Sequence, residues 1–324
     1  MVDVIIPAFN AHDTIEHTLA SIAFQDCVDI LNVCIVDDCS DNDYSQFVDF
    51  YSNFMNIKEL KMKENGGPGL ARQFGIDNSN SDYLIFIDSD DVFTDTCAIS
   101  RLYNAIVQEN SDIVLGGFLE ELESGFSFQD CSYVWMHSKI YRRKFLVDNN
   151  IRFNNTRANE DCGFNHLCYL CGSNSYEISG ASYVWRNNKN SITRINEGKT
   201  FQRRMKEFTY NMLWALEEAY KRNFDEKRFS SIAYGILVST YHYYLQDPEI
   251  FVEDNILEQM SPLVKYCDLY PLDDDGRKSI IKTQLNAEIS GPELIRVYDP
   301  DITLKEFVKM LREEISELEV NNLW

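Results

Sequence analysis

The chain has 324 residues, 44% of them hydrophobic and 13% aromatic, which is ample for a buried core and excludes a disordered segment. A formal net charge of −22 sets up a field that repels polyanions, so nucleic acid and anionic membrane surfaces are disfavoured partners, although a local basic patch is not barred. No run approaches the ~20 apolar residues of a membrane helix, the apolar part of "MVDVIIPAFN" is too short for a signal peptide, and nine scattered cysteines do not make a disulfide framework.

A cytoplasmic location is expected, with contact at a membrane surface left open. Cys168 and Cys171 form one C-x-x-C, but no second pair completes a zinc site, and they read as reduced thiols on a helix.

Val2–Pro7 reads as a buried strand. The spacing of Ile15, Leu19 and Ile22 predicts a helix over Thr14–Gln25. Leu31–Asp37 is a second strand, and Tyr44, Phe47, Val48 and Tyr51 mark a helix over Asp43–Met55. A weaker strand at Ile57–Met62 and a helix opening at Gly69 come next. "DYLIFID" is a fourth strand, followed by a helix over Ile99–Glu109 and a strand at "DIVLGGF". Strands separated by helices of this length predict an open α/β sheet, Rossmann-like and flanked by helices, with parallel pairing through right-handed crossovers.

After about Thr200 the pattern changes. Phe201, Met205, Phe208, Met212, Ala215 and Ala219 lie on one face of a long helix, as do Leu304, Phe307, Val308, Leu311, Ile315 and Leu318. Residues 1–199 are therefore expected to form the catalytic domain. Residues 200–324 are expected to form a helical region that docks on it, with acceptor binding, self-association or buttressing as candidate roles.

Open α/β sheets bind ligands at the carboxyl ends of their strands, and Asn10, Asp37, Asp38, Asp88 and Asp90 all follow strand ends. In "YLIFIDSDDVF" (Tyr83–Phe93) the pair Asp88 and Asp90 offers hard oxygen ligands for Mg²⁺ or Mn²⁺. Alternate residues of a flat strand point apart, so a turn at Ser89 is needed to bring both to one cation. Solvated turn residues, with Asp91 capping a helix, are the competing reading. Asp37 and Asp38 repeat the device and are free for a base or a sugar hydroxyl, while Asp41 or Asp43 caps the next helix.

"ENGGPGLARQFGI" (Glu64–Ile76), containing Gly67, is a glycine-rich loop entering a helix, where backbone N–H groups can face an anion. It lacks the Lys-Ser/Thr of a P-loop. Arg72 can neutralise a phosphate or form a surface salt bridge. Glu160 and Asp161 open an amphipathic helix, either as dipole partners or as a source of a general base. "VWRNNKNSITR" (Val184–Arg194) is a connection that can close on a phosphate.

In order over about the first 195 residues, these stretches resemble the family 2 glycosyltransferases of GT-A fold, an open mixed sheet flanked by helices. "VIIPAFNAHDTIEHTLASI", "CIVDDCSDND", "NGGPGLARQFGI", "YLIFIDSDD", "WMHSKIYRRKFLVDNNIRF", "NED" and "NKNSIT" each match a segment of the family, with Gln73 where Asn is usual. The resemblance implies a metal-dependent, inverting transfer from a nucleotide-diphosphate sugar, most simply a UDP-sugar, to a hydroxyl acceptor. The candidate acceptors are a growing surface glycan, a teichoic-acid-like polymer, a lipid-linked molecule, a protein or another glycoconjugate.

It places Pro7, Ala8, Asn10, Asp38, Gly67, Arg72, Asp88 and Ser89 around the nucleotide sugar. It makes Asp90 the direct metal ligand, with Asp88 beside it, and Asp161 the base, with Glu160 in the acceptor pocket. The family's metal-binding His before the S-I-T turn is replaced by Asn188 or Asn187, and His137 is not an evident substitute. The competing functions are glycosylation of a modified nucleic-acid base, synthesis of sugar nucleotides by a nucleotidyltransferase, and non-catalytic sugar-nucleotide binding.

Overall fold

The computed structural model describes residues 1–188, 197–246, 249, 255–288, 304–309 and 312. The chain divides into two compact units, Met1–Glu197 and Gly198–Trp324.

The first unit is built on a nine-stranded mixed sheet. β1 (Val2–Ala8), β2 (Leu31–Asp37), β3 (Asn56–Lys61) and β4 (Tyr83–Phe86) are followed by β5 (Val92–Phe93), β6 (Ile113–Leu122), β7 (Gly125–Gln129), β8 (Lys139–Arg142) and β9 (Ser175–Trp185). The spatial order is β3-β2-β1-β4-β8-β6-β9-β5, with β7 on β6. The first four strands pair in parallel and are almost wholly buried in β1 and β2, as strands covered on both faces must be.

Parallel pairing holds through β4, and beyond it the sheet is mixed, as the GT-A resemblance implies. β8 runs antiparallel to both β4 and β6 and separates them. The chain reverses through the β6–β7 hairpin and enters β8 from the opposite end, so β8 slots antiparallel between the mutually parallel β4 and β6.

The helices are α1 (Ile15–Ala23), α2 (Ser45–Tyr51), α3 (Pro68–Asp77), α4 (Ala98–Gln108), α5 (Arg143–Asp148) and α6 (Glu160–Leu170). The apolar face of α1 is buried as its spacing predicts, through Ile15, Leu19 and Ile22. α3 lies so close to β1 that a Cβ on Gly75 would stand 2.5 Å from Ile5 Cγ2. This close approach seats Arg72, three residues earlier on the same helix, over the sheet, where it is 4% exposed. Register pairs Ala8 with Asp37 and Ile5 with Phe86, which sets the segments after β1, β2 and β4 side by side.

The second unit is helical. α7 (Glu197–Tyr220) buries Met212, Ala215 and Ala219, members of the predicted face, and α8 (Glu226–Gln246) buries Phe229, Ala233, Ile236 and Leu237. Shorter helices span Ile256–Met260, Pro262–Leu269 and Asp274–Glu288. Phe229 packs edge-on to Tyr266 and Tyr270. Of the second predicted face, Leu304 and Phe307 are buried; Leu311, Ile315 and Leu318 lie outside the described residues. No helix among the described residues is long and apolar enough to cross a membrane.

Candidate active site

The strand ends converge as β1, β2 and β4 require, but their acids divide the work differently from the sequence reading. Asp37 is buried, accepting the Ser40 N–H at 2.7 Å and pairing with Lys61 at 3.2 Å. Asp38, expected to be free for a ligand, spends one carboxylate oxygen on the Gly66 N–H (2.6 Å) and the other on the Gly67 N–H (2.7 Å). Burial raises its pKa, against the lowering effect of those two N–H groups.

Asp38 thus folds the glycine loop back onto the end of β2. Gly67 takes a φ of +87° there, which a side chain would strain. The carbonyl of Ala8, which follows Pro7 at the end of β1, accepts the Asp38 N–H at 2.8 Å. Asn10, in the left-handed region at φ 50°, donates its N–H to Ser40 at 2.9 Å and exchanges hydrogen bonds with Asp41. Pro7, Ala8, Asn10, Asp38 and Gly67 therefore lie along one edge, tied to one another through the backbone.

The second half of the site is held by Arg72. Neither a surface residue nor open to solvent, its guanidinium donates to Asp88 Oδ1 and to Glu160 Oε1, both at 2.6 Å, beneath the Phe153 ring. One cation from α3 thereby joins the end of β4 to the first residue of α6. Asp88 feels two opposed effects. Burial disfavours its charge, but the guanidinium more than offsets this and holds its pKa below the usual carboxylate range.

Asp161, next to Glu160 on α6, accepts the Cys162 N–H at 2.8 Å, with Glu160, Asp88, Arg72 and Lys139 as its charged neighbours. Burial first, then the charge of Glu160, push its pKa to about 7, against the lowering effect of Arg72. Glu160 itself is 4% exposed and committed to Arg72.

The turn expected at Ser89 exists: the Asp91 N–H donates to the Asp88 carbonyl at 3.1 Å. It closes residue i on residue i+3, and so brings Asp91, rather than Asp90, to Asp88. Asp91 caps no helix. It is 1% exposed and accepts the Tyr183 hydroxyl at 2.5 Å and the Arg186 N–H at 2.8 Å. The imidazole of His137 completes the group, with one ligand atom from each of Asp88, Asp91 and His137 all within 4.8 Å of one another.

Burial holds His137 neutral, with its pKa lowered to about 3, and its buried Nδ1 has no hydrogen-bond partner. A neutral imidazole with an unsatisfied nitrogen beside two carboxylates is a donor set that suits Mn²⁺. Burial and the charges of Asp90 and Asp88 raise the Asp91 pKa well above its ordinary value, a tension that a divalent cation relieves. Asp90, the expected ligand, instead accepts the side-chain amide N–H of Asn188 at 2.8 Å. The two residues expected to share the metal do meet, but beside the cluster. The Ser191–Thr193 turn lies outside the described residues.

These two arrangements differ in what a metal titration should read. If the Asp88–Asp91–His137 cluster holds the ion, His137→Ala should weaken Mn²⁺ binding by about 10–100-fold, measured as free Mn²⁺ by electron paramagnetic resonance, and Asn188→Ala should change it little. The opposite ranking would return the metal to Asp90 and Asn188.

Three comparisons bear on this geometry. Residues 3–161 match the model of the glycosyl transferase family 2 family. Poly(ribitol-phosphate) beta-N-acetylglucosaminyltransferase TarS of Staphylococcus aureus is 27% identical over 239 residues, which cover 67% of this chain and 42% of TarS. A poly(ribitol-phosphate) beta-glucosyltransferase of Bacillus spizizenii is 26% identical over 187 residues, 52% of this chain and 29% of that protein. The match thus spans less than half the length of each of these two relatives. The crystal structure of TarS 1–349 in complex with UDP-GlcNAc superposes with a TM-score of 0.66 at 20% identity, covering 90% of this chain and 93% of that one, which establishes the GT-A fold.

Proposed function

We propose that this glycosyltransferase moves a sugar from a UDP-sugar to a glycan hydroxyl with inversion at the anomeric carbon, a reading that starts from the match of residues 3–161 to the glycosyl transferase family 2 model. The observation that carries the reading is the Arg72 bridge, which fixes the acid at the donor end, Asp88, to the residue beside the candidate base, Asp161. A general base works best with a pKa near the working pH, and the Asp161 pKa of about 7 has that property.

In this reading Pro7, Ala8, Asn10, Asp38, Gly67 and Ser89 line the nucleotide side, with Asp38 offering the outer lone pairs of its carboxylate. Asp161 takes the acceptor's hydroxyl proton as that oxygen bonds to the anomeric carbon, and the bond from that carbon to the diphosphate breaks with its electrons leaving on UDP. A Mn²⁺ or Mg²⁺ held by Asp88, Asp91 and His137 supplies positive charge against the diphosphate. Glu160 holds Asp161 in place through Arg72. The C-terminal helical unit binds the acceptor or joins copies of the chain.

The relatives' names support the donor class, since TarS is an N-acetylglucosaminyltransferase and its crystal complex holds UDP-GlcNAc. The test is calorimetry of UDP and of UDP-, GDP- and TDP-sugars with Mn²⁺ and with EDTA, joined to an assay for slow release of free nucleotide. Saturable UDP-sugar binding that weakens in EDTA is expected. A chain that binds none of the panel, or that prefers a GDP-sugar, overturns the donor assignment.

A further inference from the structure

Between the donor end and the base, the His137 ring opens a tower of aromatic rings whose outer members, Trp135 and Trp185, the reaction above does not use. His137 stacks on Tyr183 at 4.5 Å and on Trp135 at 6.1 Å with 10° between planes. Trp135 stacks in turn on Trp185, 6.0 Å away at 29°. The innermost rings are anchored to the donor loop, because Tyr183 donates to Asp91 and accepts the Asp88 N–H at 3.3 Å.

The backbone of Trp135 is anchored to the base helix. The Trp135 carbonyl accepts the Lys139 ammonium and, at 3.0 Å, the side-chain amide of Asn165, which lies one turn after Asp161 on α6. Both ends of the tower are thus fixed by groups flanking the reaction site. Yet Trp135 is 39% exposed and Trp185 half-buried. An indole held this firmly and left open to solvent presents a rigid, flat, electron-rich face.

We propose that the Trp135–Trp185 pair is the acceptor platform and takes the C–H face of a pyranose ring. This rests on the glycosyl-transfer reading above and names its acceptor class. The positively polarised C–H groups of a pyranose complement the negative face of an aromatic ring, and rigid aromatics lose little entropy on binding. The local charge points the same way. The cation beside Trp185 is Arg186, which pairs with Glu121 at 3.7 Å, and Lys139 is 2% exposed. Among the described residues, a polyol-phosphate chain would find beside this pair only cations already engaged, Arg186 with Glu121 and Lys139 with the Trp135 carbonyl, whereas a neutral sugar needs none.

The experiment follows the indole N–H resonances of the four tryptophans while methyl β-glucopyranoside, methyl N-acetyl-β-glucosaminide and ribitol 5-phosphate are titrated, with UDP titrated separately. Saturable shifts at Trp135 and Trp185 with a pyranoside are expected. Trp135→Ala should weaken them at least about tenfold, Trp135→Phe should keep most of the affinity, and UDP affinity should be unchanged in both, which also reports folding. Pyranosides that shift neither indole, ribitol 5-phosphate shifting them alone, or Trp135→Ala binding like the parent overturns the platform. Loss of UDP binding in the parent chain with the pyranoside response intact would sink the donor reading and support the platform.

Discussion

Replacing Arg72 by methionine should destabilise the chain by about 3–5 kcal/mol and abolish transfer, because it leaves two acids in the interior without their cation. The substitution keeps much of the side chain's apolar volume, so the cost is electrostatic. Most of it falls on Glu160, whose side chain is 5% exposed; Asp88 is 36% exposed, and water screens it once the guanidinium is gone. Arg72→Lys should recover only part, since an ammonium is a point charge and cannot span both acids with a planar fork.

The companion variant Glu160→Gln removes the charge that Arg72→Met strands, so the double variant should be more stable than Arg72→Met alone. Urea unfolding of the four chains forms a cycle that reads the coupling directly. A double variant no more stable than Arg72→Met would show that the loss comes from packing against Phe153. Activity should not return with stability, because the segment carrying Asp161 is no longer tied to Asp88.

That bridge also marks what the sequence could not disclose. The first strands and helices were legible because each carries its own apolar period: Ile15, Leu19 and Ile22 state a helix face whatever surrounds them. Arg72 states nothing comparable, since its partners lie 16 and 88 residues away, and a lone Arg after a glycine loop fits a phosphate or a surface pair equally well.

The same holds for the far half of the sheet. β8 is four residues of mixed polarity, "KIYR", buried only because β4 and β6 close around it. The candidate metal cluster was half legible. Three acids at a strand end suggest a turn at Ser89, and a turn pairs i with i+3, which brings Asp91 to Asp88. The sequence does not make His137 an evident ligand, because its place depends on a stack with a ring from β9. Asp38 shows the converse: its type and position suggested a ligand, whereas its nearest donors are the N–H groups of the chain's own glycine loop.

Replacing Asp161 by asparagine should remove transfer and stabilise the fold. A positioned general base contributes about 10²–10⁴-fold, so transfer should fall by that factor while UDP-sugar binding stays. The parent enzyme should gain activity with unit slope as pH rises toward about 7, where the carboxylate of Asp161 becomes the prevailing form.

The stability effect has the opposite sign for the same reason. The folded chain holds the Asp161 proton up to about pH 7, whereas its reference value is 3.8. Between those values the folded state binds more protons than the unfolded one, so stability present below pH 4 is lost as pH rises through 7. Asparagine cannot ionise and escapes this loss, which is on the order of 4 kcal/mol given that each pKa unit is worth 1.36.

Thermal unfolding of both chains at pH 4 and pH 8 reads it: the variant's Tm should exceed the parent's at pH 8, and the difference should shrink at pH 4. A variant less stable at both pH values would mean that Asp161 is a structural residue whose hydrogen bonds hold the start of α6. A carboxylate kept where it costs stability is the expected mark of a group retained for chemistry. The combination of lost transfer, kept donor binding and raised Tm would distinguish a base from a scaffold residue in one variant.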